Sequence, residues 1–251
     1  MRKTHLSFPA IFLLASTLAF PPQSQASEGQ PQLAHPHDCG ETLPSASVEG
    51  NERSRAMACK GLERAVAFFT AHHLELKFDE TPIVYKFPKE VRLPCETAGC
   101  SGQRVAGLYD SETKTIYATR FDEPWMRSKA RHYFSLPYNE ELYISVLAHE
   151  STHALNKQFY TYLPDSHAQD EYIAYASQLW SMDSKLRDAI LRIYPAPKNE
   201  FGNEGAINDI IHAIVPHRFG VMSYRHLQSQ NGGETMLLRI YSGSFRPPSI
   251  E

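Results

Sequence analysis

His149, Glu150 and His153 stand at fixed spacing inside the run Asn139-Glu-Glu-Leu-Tyr-Ile-Ser-Val-Leu-Ala-His-Glu-Ser-Thr-His-Ala-Leu. Residues four apart on a helix share a face, so both imidazoles can reach one metal ion. Glu150 sits beside them, where it can take a proton from a water on that metal. A hydrolytic zinc ion needs one ligand more, because it is held by three protein groups and leaves its fourth position to water. A third histidine six residues after the second would fall at Phe159, and the glycine that accompanies that spacing is replaced by Asn156, so that arrangement is excluded. Glu171 follows His153 by 18 positions and is the only glutamate between Glu150 and Glu200. It is the favoured third ligand. Asp165, His167, Asp170 and Glu204 are its rivals, weighed on ligand chemistry and placement.

For these side chains to meet, two helices must fold against each other. Asn139 reads as an N-cap, with Glu140 and Glu141 in the first turn, where the helix dipole favours carboxylates. Leu142, Val146, His149, Glu150 and His153 then share one stripe, which turns both imidazoles towards the core. Unligated there, their nitrogens would need other hydrogen-bond partners. Pro164-Asp165-Ser166 stops this helix and starts the next, in which Ser166 and Gln169 form a capping box. The second helix runs through Glu171, Ile173, Ala174, Tyr175, Leu179 and Trp180, and the turn before it brings Glu171 level with the metal.

Upstream, apolar residues from Ala56 to Phe69 recur at helical spacing and predict a helix over about residues 54–73, ending in His72-His73. Adjacent helical residues point in different directions, so this pair is read as structural, favoured by the dipole at a helix end. Thr81–Pro88 and Val91–Leu93 read as strands, and Arg104–Phe121 as a hairpin turning at Asp110–Lys114. The second strand of the hairpin, Thr115–Phe121, is expected to offer a sheet edge to an extended peptide. Phe121–Tyr138 reads as a connection. Further helices are expected near Ser184–Tyr194, Gly205–Val215 and Gly220–Gln228, before a Gly- and Pro-rich tail. A block of strands followed by helices predicts an α+β domain with a small antiparallel or mixed sheet.

His149-Glu-x-x-His153, followed by Glu171 on a second helix, resembles the gluzincin group of zinc metallopeptidases over roughly residues 138–182. The order of sheet, active-site helix and ligand helix is similar to that of zincins generally. The resemblance implies a zincin-like fold, a single Zn²⁺ bound by His149, His153 and Glu171, and a peptide or protein substrate. It implies Glu150 as the general base acting on the zinc-bound water. Many gluzincins carry Asn before the ligand Glu and Asp four residues after it; here these are Asp170 and Tyr175, which leaves the partner of the ligand histidines unassigned. The donor to a developing oxyanion is open among Tyr172, Tyr175, His212, His217, Tyr224 and His226. The competing reading is a non-catalytic zincin-fold binding or assembly factor of the cell envelope. A chance motif on an ordinary buried helix is the third.

The N-terminus sets the compartment. Met1-Arg2-Lys3-Thr4-His5, an apolar run from Phe8 to Phe20, and Ser24 and Ala26 before Ser27 form a cleavable signal peptide. The apolar run is too short to span a bilayer, which takes about 20 residues. Removing residues 1–26 leaves 225 of the 251, enough for an irregular arm over 27–50 and one domain over 51–251. The leader carries Arg2 and Lys3 and no acid, so the net charge moves from −3 to −5, which argues against nucleic acid as a partner. All four cysteines lie beyond the leader, and export reads them as two disulfides, with Cys39–Cys59 and Cys95–Cys100 the compact pairing. The expected location is periplasmic or secreted.

Overall fold

The computed structural model describes residues 39–40, 43–76, 81–94, 102–128, 132–159, 167–195, 204–230 and 234–245. The leader, the Cys95–Cys100 loop and the Pro164–Ser166 turn, with Asp165, lie outside them. The chain passes from strand β1 (Ala46–Glu49) through helix α1 (Glu52–Ala71) to strands β2 (Ile83–Lys86), β3 (Val91–Arg92), β4 (Arg104–Val105), β5 (Gly107–Asp110) and β6 (Thr115–Ala118). A short hairpin, β7 (His132–Tyr133) and β8 (Leu136–Pro137), leads into α2 (Glu140–Phe159) and α3 (His167–Ser181). There follow α4 (Ser184–Ile193), a 3-10 turn at Glu204–Ala206, α5 (Asp209–Ile214), α6 (Pro216–Ser229) and α7 (Glu234–Tyr241). The architecture is α+β, as expected. Its main sheet has the order β1-β2-β6-β5, parallel from β1 to β6, with β5 antiparallel to β6. Among the described residues no helix is long and apolar enough to cross a membrane.

The structure corrects four local expectations. Ala46–Glu49, expected in the irregular arm over 27–50, is a strand because β2 supplies its pairing and its Ala46 and Val48 side chains are buried. The arm is tied down by a disulfide between Cys39 and Cys59 on α1. Strand β6, expected to offer a sheet edge, is interior: β2 flanks it on one side and β5 on the other, so the edge belongs to β5. His132–Pro137, expected in a plain connection, forms the β7–β8 hairpin. The segment expected as an irregular tail contains α7, whose Met236, Leu237, Ile240 and Tyr241 are buried.

Helix α2 is the axis of the fold. Asn139 caps it, Oδ1 accepting the Leu142 N–H at 2.9 Å. Every residue from Leu142 to Asn156 is buried, so the expected stripe is one side of a helix enclosed all round, by α1, α3 and strands β5 and β6. Helix α1 crosses it at Gly61, where an added Cβ would lie 2.6 Å from Leu147 Cβ. Arg64 makes a two-pronged contact to Glu141, at 2.8 and 3.0 Å, and the Asp183 N–H donates to the same carboxylate at 2.9 Å. The positions between the two histidines anchor α2 on both flanks. Ser151 Oγ lies 2.8 Å from the Tyr85 hydroxyl of β2, and Thr152 Oγ1 lies 2.9 Å from Ser177 Oγ of α3. Rotation of α2 about its axis would break both contacts, which holds the imidazoles at a set angle.

Candidate metal centre

One turn of α2 separates His149 and His153, and their Nε2 atoms come within 3.1 Å of each other. Glu171 on α3 reaches between them, with Oε2 3.4 Å from His149 Nε2 and Oε1 3.5 Å from His153 Nε2. The three residues are 7, 8 and 9% exposed. Ligands bound at 2.0–2.1 Å around a tetrahedral ion lie about 3.4 Å apart. A direct N–H···O bond is shorter, about 2.9–3.0 Å. The spacing of these donors is that of ligands around a common centre. His149, His153 and Glu171 can therefore hold a metal ion.

Beside them Glu150 is buried, its carboxylate accepting the backbone N–H of Tyr109 on β5. Burial raises its pKa, against the opposing pull of His149 and His153. Gly107, also on β5, makes room for it: a Cβ there would sit 2.7 Å from Glu150 Cγ. Gly107, Leu108 and Tyr109 of this edge strand line a cleft of about 680 Å³ together with His149, Glu150, His153 and Glu171. The candidate donor residues thus line an open cleft.

The two histidines are supported differently. His153 Nδ1 lies 3.1 Å from Asp170 Oδ2, and the other Asp170 oxygen accepts Asn156 Nδ2 at 2.9 Å. The Tyr241 hydroxyl of α7 donates in turn to Asn156 Oδ1 at 2.5 Å. Burial opposes the charge on Asp170, but His153, Lys157 and Asn156 outweigh it and hold the carboxyl down at about 2. Burial likewise opposes charge on His153, which Asp170 and Glu171 push well above the usual imidazole range. Glu171 is held well below its ordinary value by His153 and His149 despite burial. His149 has no such carboxylate. Its ring packs on Tyr175 at 4.6 Å, and its buried Nδ1 has no hydrogen-bond partner among the described residues. Tyr175 is itself pressed by α6 at Gly220, where a Cβ would come within 2.5 Å of the ring.

A family of unknown function, DUF6639, matches residues 46–248. The chain belongs to that family. No curated protein and no solved structure matches it. The family span opens on the first residue of β1 and runs past α7, so it takes in the histidine helix, the glutamate helix and the Tyr241–Asn156–Asp170 chain.

Of the residues weighed as third ligand, the structure brings Glu171 to the two histidines and gives Asp170, Glu204 and His167 other partners, while Asp165 lies outside the described residues. Asp170 turns to His153 Nδ1 and Glu204 pairs with Arg239. His167 Nε2 stands 3.7 Å from Glu171 Oε1. Among the open oxyanion donors, Tyr175, His212 and His217 line the cleft. Tyr172 and His226 bond to each other at 3.0 Å, and Tyr224 lies under Arg187. Asn156, Tyr241, Tyr109 and Gly107 were not legible as site residues. One signal does point to Asp170: a ligand histidine needs an acceptor at its other nitrogen, and this acid adjoins the ligand glutamate.

Proposed function

We propose that this chain is an exported zinc-dependent metallohydrolase acting on peptide or protein substrates, with His149, His153 and Glu171 as zinc ligands and Glu150 as general base. The observation that carries the reading is the convergence of the three donors at 3.1, 3.4 and 3.5 Å beside a cleft that Glu150 also lines. The resemblance to gluzincins over residues 138–182 supports the choice of zinc, as does a donor set of two imidazoles and one carboxylate. The basic-then-apolar leader and the Cys39–Cys59 bridge support export to the periplasm or beyond.

Bound there, zinc would lower the pKa of a water towards about 7 and polarise a carbonyl oxygen. Glu150, buried and with a raised pKa, is suited to accept a proton from water in the cleft and return it to the leaving amine. Asp170 holds the His153 ring by its Nδ1 and keeps Nε2 aimed at the metal position. Strand β5, the last strand of the main sheet on the cleft side among the described residues, lies where an extended peptide could add as a further strand with its carbonyl over the site. The Tyr109 N–H, already bonded to Glu150, couples that edge to the base.

The test is zinc analysis with peptide hydrolysis on wild type and Glu150→Gln. The expected outcome is retained zinc in both and a fall in turnover of about 10²–10⁴-fold in the variant. Tight zinc with no turnover of a broad peptide library by wild type would identify a zincin-fold binding or assembly factor instead. No zinc at all would sink the metallohydrolase.

A further inference from the structure

Glu171 is faced by four imidazoles, two at each oxygen. Oε1 lies 3.5 Å from His153 Nε2 and 3.7 Å from His167 Nε2. Oε2 lies 3.4 Å from His149 Nε2 and 3.4 Å from His212 Nε2. The donors of His167, Glu171 and His212 also lie within 4.8 Å of one another, and this trio shares only the glutamate with the first. All four separations exceed an ordinary N–H···O bond and fall near the roughly 3.4 Å between ligands on one tetrahedral ion. Simple hydrogen bonding would bring these nitrogens closer to the carboxylate. Each trio could hold one cation among its donors.

The second trio is also built. His167 and Glu171 stand four apart on α3 and so share a face. His212 comes from α5, which is capped by Asn208 through the Ile211 N–H at 2.9 Å. Asp209, beside that cap, accepts the Ala168 N–H at 2.7 Å and fastens α5 to the first turn of α3. The His212 ring packs at 5.2 Å from Phe219 and 5.1 Å from His167. The elements that carry the three donors are thus joined within three residues of a ligand on both sides.

We propose that His167, Glu171 and His212 form a second divalent-cation site, of the zinc class by its nitrogen and oxygen donors, and that the Glu171 carboxylate is shared between the two sites. The site stands beside the reading above and does not depend on it, since two of its three ligands are its own. The second ion binds more weakly than the first. His167 is largely exposed, and both sites draw on the charge of one carboxylate.

The experiment titrates the tag-free, chelator-stripped chain with Zn²⁺ and reads bound metal after equilibrium dialysis at a few-fold excess. His167→Ala/His212→Ala is compared with wild type, and circular dichroism checks the fold. His167→Ala alone, at an exposed position, serves where the double variant does not fold. Two equivalents in wild type falling to one in the double variant is the expected result. In His167→Ala the second equivalent should weaken at least about tenfold, as when one ligand or its support is lost. Two equivalents in both proteins, or one that survives in the variant, overturns the second site. The latter leaves the His149–His153–Glu171 reading standing. One equivalent in wild type that disappears in the variant supports the second site and removes the first. No bound zinc in wild type overturns both.

Discussion

Two pairs of histidines, one just past the end of α1 and one within α2, end in opposite kinds of place. His72 and His73 are neighbours at the end of α1. His72 is buried, its Nδ1 2.7 Å from the Phe68 carbonyl oxygen and its ring against Phe68 and Trp180. His73 turns away, exposed, with φ of 54°. His149 and His153, four apart on α2, keep their rings on one face and bring two nitrogens to 3.1 Å. Burial alone does not separate the pairs, since His72 at 4% is as enclosed as His149 at 7%. The partners do. One histidine is satisfied by a carbonyl oxygen one turn back; the other two are aimed at a common point that a carboxylate from a second helix also faces.

Substitutions at both pairs test that contrast most strongly. His149→Gln with His153→Gln should remove the more tightly bound zinc equivalent and reduce peptide hydrolysis to background, whereas His72→Gln should leave zinc content and turnover unchanged and lower only the melting temperature. Loss of zinc in the His72 variant would break the distinction.

The supports of the site come next in size. Asp170→Asn should weaken zinc binding by about 10–100-fold, read by competition with a chromophoric chelator, because Asp170 orients His153. In the metal-free protein the same change should also lower stability at neutral pH. The folded-state pKa of Asp170 is depressed to about 2, so its contribution is present above its ordinary value of about 3.9 and fades as pH falls from there towards 2. Urea melts of the two proteins should therefore converge in that window. Convergence on raising the pH would have the wrong sign. Gly107→Ala should leave zinc in place and cut turnover by up to about 10²-fold, because the new methyl displaces the Glu150 side chain and not a ligand.

The smallest effect belongs to the scaffold. Gly61→Ala forces α1 away from Leu147 and should cost about 1–3 kcal/mol in denaturant unfolding, with zinc affinity and turnover per folded molecule unaltered. Altered affinity would mean that the α1–α2 crossing reaches the imidazoles.

The centre was legible because its parts lie on regular elements at diagnostic spacings: two histidines one turn apart, a capped helix start at Asn139, and a lone glutamate on the following helix. Elements held by partners distant in sequence were not. Strand β1 hides in a Ser- and Pro-rich segment and exists through its pairing with β2. Helix α7 lies between Gly232-Gly233 and Pro247-Pro248, whose turn-forming character masked the buried positions Met236, Leu237, Ile240 and Tyr241. Lateral strand order does not follow chain order, so the cleft edge fell to β5 and not to β6. The chain from Tyr241 through Asn156 to Asp170 joins three helices, and neighbouring residues give no sign of it.

The central claim is that His149, His153 and Glu171 surround one metal position. Anomalous diffraction at the zinc edge, on crystals of the zinc-loaded chain, tests it directly. The expected result is a peak about 2.0–2.2 Å from His149 Nε2, His153 Nε2 and a Glu171 oxygen. A map with no peak between these atoms, or His149 and His153 turned apart to other hydrogen-bond partners, would contradict it.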